Sequence, residues 1–321
     1  MESTKAEPVT QTAKRHIVHI INPVSGSGKK FKRTKTVLSE LKEDVYLTKR
    51  NGDCRDFISE LLTKDPYAHI VAHGGDGTMN EAVEGILAAN AGHTALFTGV
   101  PSGSGNDFLR YSYEEKCELG KEYPTDVIRS GDKYSVNVLN VGFDCTVVSE
   151  AEKIRKFPGI GNSFSYILGV VSALTKKDVF TTTVELGGIP KKDGTSTNES
   201  ISGSFLLAAL ANGRYYGGGF KVAPLADSSD GLIDVLLINN VSLPKFASLV
   251  SGFRKGSHID ENGKVLKKFS EILTYRRCRT ISFDGIKQSC YDGEIINETS
   301  VSAELIPAAI IYTPPKKEWI V

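Results

Sequence analysis

The chain has 321 residues, which is more than one small hydrophobic core requires, and its ordinary composition fits a globular protein of two domains. Its 39 lysines and arginines nearly balance 38 aspartates and glutamates, so it lacks the basic surplus of nucleic-acid-binding proteins and we expect no nucleic-acid partner. The 5 cysteines show no Cys-x-x-Cys spacing and residues 1–14 do not resemble a signal peptide, so we expect a cytoplasmic protein.

The first third of the chain alternates between two kinds of segment. Residues 1–14 are polar and are predicted to form a disordered tail. The predicted strands are 16–21, 44–47, 68–72 and 94–100, and the predicted helices are 30–41, 55–63, 79–89 and 107–111. This alternation predicts a parallel sheet in an α/β nucleotide-binding domain over residues 15–124, which residues 306–321 are candidates to complete.

After residue 124 the pattern changes to β-branched and aromatic runs separated by turn residues. The predicted strands are 134–141, 179–186, 204–210, 232–238, 280–283 and 295–305, and the predicted helical segments are 145–174 and 244–254. We therefore predict a second domain over residues 125–305, built as a mainly antiparallel β-sandwich. Exposed edges of such strands would allow a homodimer.

Three glycine-rich turns follow predicted strands of the parallel sheet. They are Asn22-Pro-Val-Ser-Gly-Ser-Gly-Lys29, His73-Gly-Gly-Asp-Gly-Thr78 and Pro101-Ser-Gly-Ser-Gly-Asn-Asp107. Any one of them can be explained as a tight turn that needs glycine, and the first is not a Walker A loop because Pro23 and Lys30 break that motif. Three such turns at one edge of a sheet favour a phosphate-binding site, because backbone N–H groups and helix N-termini point there.

A pair of carboxylates, in Tyr291-Asp-Gly-Glu294, comes late in the chain. Asp-Gly is also the commonest signal of a β-hairpin turn, so a purely structural explanation stays open. Two carboxylates this close can serve as a general base and the group that orients it, which is what phosphoryl transfer asks of a protein near the attacking hydroxyl.

Taken in order, these motifs resemble the diacylglycerol kinase catalytic-domain family, in particular its bacterial-type soluble lipid kinases. The resemblance rests on the three turns, on Tyr291-Asp-Gly-Glu294, and on Asn140-Val-Gly-Phe-Asp144 and Asn212-Gly-Arg-Tyr-Tyr-Gly-Gly-Gly219 between them. It covers residues 15–312 and implies an NAD-kinase-like α/β domain followed by the β-sandwich.

The resemblance also implies cofactors and site residues. ATP would be bound by Asn22, Pro23, Ser25, Gly26, Lys49, Gly74, Gly75, Asp76, Gly77, Thr78, Asn80 and Ser104. Asp292 and Glu294 would include the general base, and Asp76 and Asp126 would join them in a network of water and Mg²⁺. A structural Mg²⁺ would lie in the second domain at Asp227, Asp230 and Leu232.

The function implied is transfer of the γ-phosphoryl group of ATP to a lipid hydroxyl at a membrane surface, with diacylglycerol as the preferred acceptor. A sphingoid base, a ceramide or another lipid alcohol remains an alternative acceptor, partly because Gly105 departs from the pattern of many bacterial members. A nucleotide-binding regulator without transfer activity is the alternative of another class. Peripheral membrane contact through Ile154, Phe157 and Ile160 is a further expectation, against the simpler view that this charged stretch is a solvated face.

Overall fold

The computed structural model describes residues 15–25, 28–103, 105–114, 117–142, 145 and 179–320. Its first half alternates strands and helices as predicted. These elements are β1 (Ile17–Ile21), α1 (Gly28–Leu41), β2 (Asp44–Leu47), α2 (Asp53–Lys64), β3 (His69–Gly74), α3 (Asp76–Ala88), β4 (Leu96–Pro101) and α4 (Asp107–Glu114).

The strands of the first half form a parallel sheet in the order β2-β1-β3-β4. In this register Ile21 lies opposite His73, and His73 lies opposite Val100, so the three strands end at one level. Every residue of β3 is buried, because α2 and α3 cover one face of the sheet while α1 and the C-terminal segment cover the other. The predicted α/β fold is confirmed, and the three glycine turns leave the same edge of the sheet.

The second half is mainly antiparallel. It contains β5 (Tyr123–Ser130), β6 (Lys133–Ser135), β7 (Val138–Gly142), β8 (Phe180–Pro190), β9 (Ser196–Ala211), β10 (Ile233–Asn239), α5 (Leu243–Lys255), β11 (Leu273–Cys278), β12 (Thr280–Asp284), β13 (Gln288–Tyr291), β14 (Glu294–Asn297) and β15 (Ser300–Tyr312). Short 3₁₀ turns span Lys267–Phe269 and Lys317–Trp319. Two buried clusters form the core of this half: one is drawn mainly from β7, β8, β9, β10, β12 and β15, and the other packs α5 against β9, β10 and β11.

Strand β15 connects the two halves. It pairs antiparallel with β12 and β5, and then in parallel with β4 through Ile311 and Tyr312. The register with β5 shifts between Ile306 and Ile310, and inside this bulge Ala308 takes a positive φ of 49°. The described strands therefore belong to one continuous sheet of 15 strands.

The C-terminal segment is fixed to the parallel sheet by a buried polar network. Trp319 Nε1 donates to Glu43 Oε2 at 3.0 Å, and His19 Nε2 lies 2.7 Å from the same oxygen. The other ring nitrogen of His19 lies 2.8 Å from Nε2 of His73. Burial lowers the pKa of His73 to about 3, so this histidine, directly before the second glycine turn, is neutral and packed inward.

Several boundaries differ from the sequence prediction. Helix α3 begins at Asp76, three residues before the predicted start, so Gly77 lies inside its first turn. The predicted strand 134–141 is two strands, β6 and β7, separated at residues 136–137, and the predicted strand 295–305 is divided between β14 and β15. Strands β5, β11 and β13 were not predicted. Apart from residue 145, the predicted helical segment 145–174 lies outside the described residues. Among the helices of the described ranges, none is both long and apolar enough to span a bilayer.

The bulge in β15 leads to a prediction about stability. Because left-handed backbone costs alanine about 1 kcal/mol, we expect Ala308→Gly to leave the free energy of unfolding unchanged or raise it by up to about 1 kcal/mol. Ala303→Gly, at a buried position where β15 pairs regularly with β12, should lower it by about 1–2 kcal/mol. Urea unfolding of both variants checks this, and equal losses would contradict the strain at Ala308.

Candidate active site

The three glycine turns contact one another directly. The backbone N–H groups of Ser102 and Gly103 both donate to the carbonyl oxygen of Gly74, at 2.9 and 3.2 Å. The Ser102 hydroxyl also donates to the Ser25 hydroxyl at 3.2 Å, which connects the third turn to the first. The turns that follow β1, β3 and β4 therefore form one continuous surface at the carboxyl edge of the sheet.

Two of the glycines are required by how closely the turns approach. A Cβ atom added to Gly103 would lie 2.5 Å from the Cα of Gly75, and one added to Gly74 would lie 2.2 Å from the Cβ of Thr78. Neither distance is sterically allowed. Glycine at position 103 therefore lets two backbones come into contact, and glycine at position 74 leaves room for the Thr78 side chain. Both are structural requirements independent of any ligand.

The N-terminus of α3 is open at the centre of this surface. Gly75 precedes the helix and supplies no capping side chain, while Gly77 is exposed and has nothing within 4 Å of an added Cβ. Asn22 Nδ2 donates to Thr78 Oγ1 at 3.2 Å, and the buried Oδ1 of Asn80 has no hydrogen-bond partner among the described residues. Free N–H groups at a helix N-terminus, with open space in front of them, favour an anion.

Two carboxylates stand beside this helix end. Asp76 Oδ1 accepts from the backbone N–H of Phe108 at 3.2 Å, and Asp107 Oδ2 accepts from the backbone N–H of Gly218 at 2.8 Å. Burial, and next the charge of Asp76, raises the pKa of Asp107 to about 6, whereas Arg110, with Nε 3.8 Å from Asp107 Oδ1, lowers it. A Cβ on Gly105 would lie 2.7 Å from Asp76 Oδ2, which explains glycine at that position.

Asp292 occupies the turn between β13 and β14, and the hairpin explanation of Asp-Gly is confirmed for the backbone. Asp292 and Gly293 both have positive φ, 48° and 100°, as a two-residue hairpin turn requires. The Asp292 carboxylate accepts backbone N–H groups from Val136 at 2.7 Å, Asn137 at 3.1 Å and Val138 at 2.8 Å. Burial raises its pKa to about 7; the charge of Asp76 acts in the same direction, and the amides of Val138 and Val136 oppose it.

Glu294 lies at the start of β14 and is exposed. Among the described residues no hydrogen bond or ion pair holds its carboxylate, and its charge adds to the burial that raises the pKa of Glu84 on α3. Asp76, Asn80 and Glu84 are spaced four residues apart and so share one face of α3. The Asp292 carboxylate binds the amides that follow β6, and β6 contacts α3, so the turn of Asp292 and Glu294 lies beside this helix. There the charge of Asp76 acts on Asp292, and the charge of Glu294 acts on Glu84.

The Asp126 carboxylate is directed elsewhere. It is buried, with Oδ1 accepting from the N–H of Ala308 at 2.7 Å and Oδ2 accepting from the N–H of Gly231 at 2.8 Å. Burial raises its pKa, and the two amides lower it. Asp126 thus holds the bulge of β15 and the loop before β10 in place, and both of its carboxylate oxygens are already hydrogen-bonded.

The loop of residues 227–232 does not fit the structural Mg²⁺ that the resemblance implies. Asp230 Oδ2 forms an ion pair with the guanidinium of Arg277, and Asp230 Oδ1 accepts from the N–H of Leu232 at 3.0 Å. Asp227 Oδ1 accepts from the backbone N–H and the hydroxyl of Ser229, at 3.0 and 2.7 Å. Within the described ranges, no group of three or more His, Cys, Asp and Glu side chains is arranged to hold a metal ion.

The remaining predicted residues lie at the margin of the site or outside the described residues. Pro23 is partly exposed in the first turn, and Lys49 is exposed after β2, where its backbone N–H donates to Asp53 at 2.7 Å. Gly26 and Ser104 lie outside the described residues, as do Ile154, Phe157 and Ile160. The contacts of these five positions are therefore left as predictions.

Sequence reasoning missed Asp107 and Gly103 as individual site residues. Asp107 was visible as the last residue of the third turn, but nothing local distinguishes a helix-starting aspartate from one that contacts another turn. Its partner Gly218 is 111 residues away, and the backbone contact of Gly103 with Gly75 is equally non-local.

A pair of glycine variants tests the contact between the turns. We expect Gly103→Ala to lower the free energy of unfolding by at least about 2 kcal/mol, because its methyl group would overlap Gly75. Gly77→Ala should be neutral or stabilising by up to about 1 kcal/mol, because the added methyl group meets open space in a helical turn. Thermal and urea unfolding measure both, and similar losses in the two variants would contradict the close approach.

The raised pKa of Asp107 predicts a pH dependence. Its folded pKa of about 6 exceeds the unfolded value of about 3.9, so the native state binds more protons, and this group's contribution to stability is lost as pH rises from about 4 to about 6. We therefore compare the free energy of unfolding of Asp107→Asn with that of the wild type at each pH. The variant's value minus the wild-type value should be more positive at pH 7 than at pH 4, by up to about 2 kcal/mol. Urea unfolding across this range measures it, with the exposed Asp132→Asn as control; a constant difference would contradict the assignment.

Two family models match consecutive parts of the chain. The model described as the diacylglycerol kinase catalytic domain matches residues 16–141, and that described as the YegS C-terminal NAD kinase beta sandwich-like domain matches residues 137–312. Among curated proteins, a "Probable lipid kinase YegS-like" of Shewanella frigidimarina is 27% identical, over 85% of this chain and 84% of that protein. A "Diacylglycerol kinase" of Mycobacterium tuberculosis is 25% identical, over 94% of this chain and 95% of that protein.

A solved structure supports the fold. The crystal structure of a diacylglycerol kinase from Bacillus anthracis matches with a TM-score of 0.62 at 17% identity, covering 94% of this chain and 98% of that one. At this identity the likeness concerns the fold alone, and it confirms the predicted combination of a parallel α/β half with a β-sandwich half. The two family models, which match the chain from residue 16 to residue 312, confirm the predicted family: the chain belongs to the diacylglycerol kinase catalytic-domain family.

Proposed function

We propose that the protein is an ATP-dependent lipid kinase that transfers the γ-phosphoryl group to the free hydroxyl of diacylglycerol, giving phosphatidic acid. The observation that carries this proposal is the open N-terminus of α3, which is surrounded by three contacting glycine turns on a helix that has the turn of Asp292 and Glu294 beside it. A phosphate-binding surface and a carboxylate for the acceptor are the two parts that phosphoryl transfer needs.

The phosphates of ATP would be received by the backbone N–H groups of the glycine turns and of the first turn of α3. The side chains of Asn22 and Thr78 are already joined by a hydrogen bond. The Oδ1 atom of Asn80, which has no hydrogen-bond partner among the described residues, supplies a further polar atom at this end of the helix. The open space at Gly77 allows a phosphate to approach the backbone closely. Lys49, exposed after β2, would contribute a positive charge at the outer side of the nucleotide.

Asp76 and Asp107 fit a nucleotide-bound Mg²⁺. Burial raises the pKa of both carboxyl groups, and the charge of Asp76 raises the pKa of Asp107 further. Asp107 Oδ1 is also buried without a hydrogen bond among the described residues. A divalent cation between the phosphates and these carboxylates would offset that repulsion. When bound, Mg²⁺ neutralises the charge that develops on the transferred phosphoryl group.

Glu294 would take the proton of the acceptor hydroxyl. Its carboxylate is exposed and unengaged among the described residues, whereas the oxygens of Asp292 are occupied by the amides of residues 136–138. Asp292 would hold the hairpin turn in place and so fix the direction of Glu294. A base needs a free lone pair within reach of the hydroxyl, and Glu294 has one.

The acceptor would be taken from a membrane surface, so the proposal includes peripheral membrane contact. Diacylglycerol is preferred because the Mycobacterium tuberculosis relative carries that name, while the YegS-like relatives are named only as lipid kinases. A sphingoid base, a ceramide or another lipid alcohol would use the same site chemistry, because each offers one hydroxyl to the base.

The test is transfer of ³²P from labelled ATP to a panel of lipids in mixed micelles with Mg²⁺. We expect labelled phosphatidic acid from the wild type, and kcat lower by about 10²- to 10⁴-fold for Glu294→Gln without a change in melting temperature. Asp292→Asn should lose both activity and stability, because Asn keeps only one of the two oxygens that accept the N–H groups of Val136 and Val138.

The exposed Glu261→Gln serves as the matched control for loss of one carboxylate, and should retain activity. A labelled product from a different lipid would replace diacylglycerol as the acceptor. No labelled product from any lipid, with ATP binding intact by calorimetry, would overturn the lipid-kinase proposal and favour a nucleotide-binding regulator.

A further inference from the structure

Four carboxylates converge around the loop of residues 227–232 in the β-rich half. Asp227 and Asp230 belong to the loop, Asp234 follows at the start of β10, and Asp126 holds the loop from β5 through the N–H of Gly231. The charge of Asp227 acts on both Asp126 and Asp230, and the charge of Asp230 acts on Asp234, which shows how close they lie. Like charges held this close to one another favour a cation beside them.

The cation that this structure provides is Arg277 of β11. Its Nη2 pairs with Oδ2 of Asp230, and its Nε lies 3.3 Å from Oδ2 of Asp234, so one guanidinium spans both acids. Asp234 is completely buried and also accepts the hydroxyl of Tyr275. We propose that Arg277 is the built-in cation of this loop and replaces the divalent metal ion for which the spacing of Asp227, Asp230 and Leu232 would otherwise be suited.

The position of Arg277 is fixed by the sheet. Arg277 and Asp234 are directly opposed in the antiparallel pair of β10 and β11, and Tyr275 lies opposite Leu236 two residues along. Cross-strand neighbours of opposite charge on one face are held in contact by the backbone register. The backbone register therefore holds the guanidinium beside Asp234, and the Arg277 side chain is only 30% exposed.

A metal ion would have to share its ligand with this guanidinium. Asp230 supplies Oδ2 to Arg277 and Oδ1 to the N–H of Leu232, while the carbonyl oxygen of Asp227 accepts from the N–H of Asp230 at 3.3 Å. Placing Mg²⁺ beside a fixed guanidinium would bring two cations together in a half-buried site, and Mg²⁺ gives up its own water reluctantly. The Mg²⁺ needed for the proposed phosphoryl transfer would then arrive only with the nucleotide. The inference about this loop is therefore separate from the proposed activity.

The experiment measures melting temperature on the nucleotide-free full chain, in EDTA and in 5 mM MgCl₂ (about the range in which a weak site fills). We expect the wild type to shift by less than about 1 °C between the two. Arg277→Gln should melt about 5–10 °C lower in EDTA, because two carboxylates lose their cation, and MgCl₂ should recover part of that loss. Arg276→Gln is the matched control on the same strand: it breaks a more exposed pair with Glu199 and should lose no more than about 2 °C, with no response to MgCl₂.

Three results would overturn the proposal. One is a wild-type melting temperature that rises in MgCl₂ and stops rising in Asp230→Asn, since that would place a metal ion on Asp230. Another is an Arg277→Gln variant as stable as Arg276→Gln. The third is an Arg277→Gln variant that is destabilised but does not respond to MgCl₂, since the guanidinium would then not be standing in for a cation. A wild-type rise that persists in Asp230→Asn comes from another site and leaves the loop without metal, as proposed.

Discussion

A single strand, β15, joins the antiparallel and the parallel parts of one continuous sheet, and the geometry of the site depends on how it does so. It runs antiparallel to β12 and β5 and then parallel to β4, with the register shift at Ile306 and Ile310 between the two arrangements. The buried carboxylate of Asp126 stabilises this irregular point by accepting the N–H of Ala308, and it binds the loop of Gly231 with its other oxygen. Because the three glycine turns belong to the parallel part and Asp292 to the antiparallel part, this junction sets the distance between them.

Asp292 shows how one residue can serve both the fold and the site. The chain passes from β6 to β7 at residues 136–137, and the Asp292 carboxylate accepts the amides exposed at that break. This bond positions the hairpin turn against α3 and leaves Glu294 facing outward. The structural and the catalytic explanations of Asp-Gly-Glu are therefore compatible, because the turn that a hairpin requires would also present the proposed base.

Local signals predicted the parallel strands and the glycine turns, because hydrophobic runs and glycines act within a few residues. They failed at α3, where Asp76 and Gly77 resemble a turn but form the first helical turn, and at β5 and β11, where Pro124 and the pair Arg276 and Arg277 interrupt the expected alternation. The contacts of Asp107 with Gly218 and of Arg277 with Asp230 join residues 111 and 47 positions apart, so no short motif contains them. A motif could thus suggest a cation at Asp230 but could not reveal that the chain supplies its own.

The acidic cluster around residues 227–232 and the acidic cluster beside α3 differ in how far the folded chain itself supplies their cations and hydrogen bonds. Around residues 227–232 two of the carboxylates, Asp230 and Asp234, pair with a guanidinium held in register by β10 and β11, so the folded chain supplies their cation. Beside α3, by contrast, the charge of Asp76 raises the pKa values of Asp107 and Asp292, and Arg110 only partly offsets this at Asp107. Buried oxygens of Asp107 and Asn80 also lack hydrogen bonds among the described residues. Such an arrangement costs stability in the free protein, since like charges and unsatisfied polar atoms are buried together. A ligand that brings both positive charge and hydrogen-bonding groups, as a nucleotide with its magnesium ion does, would remove both costs at once.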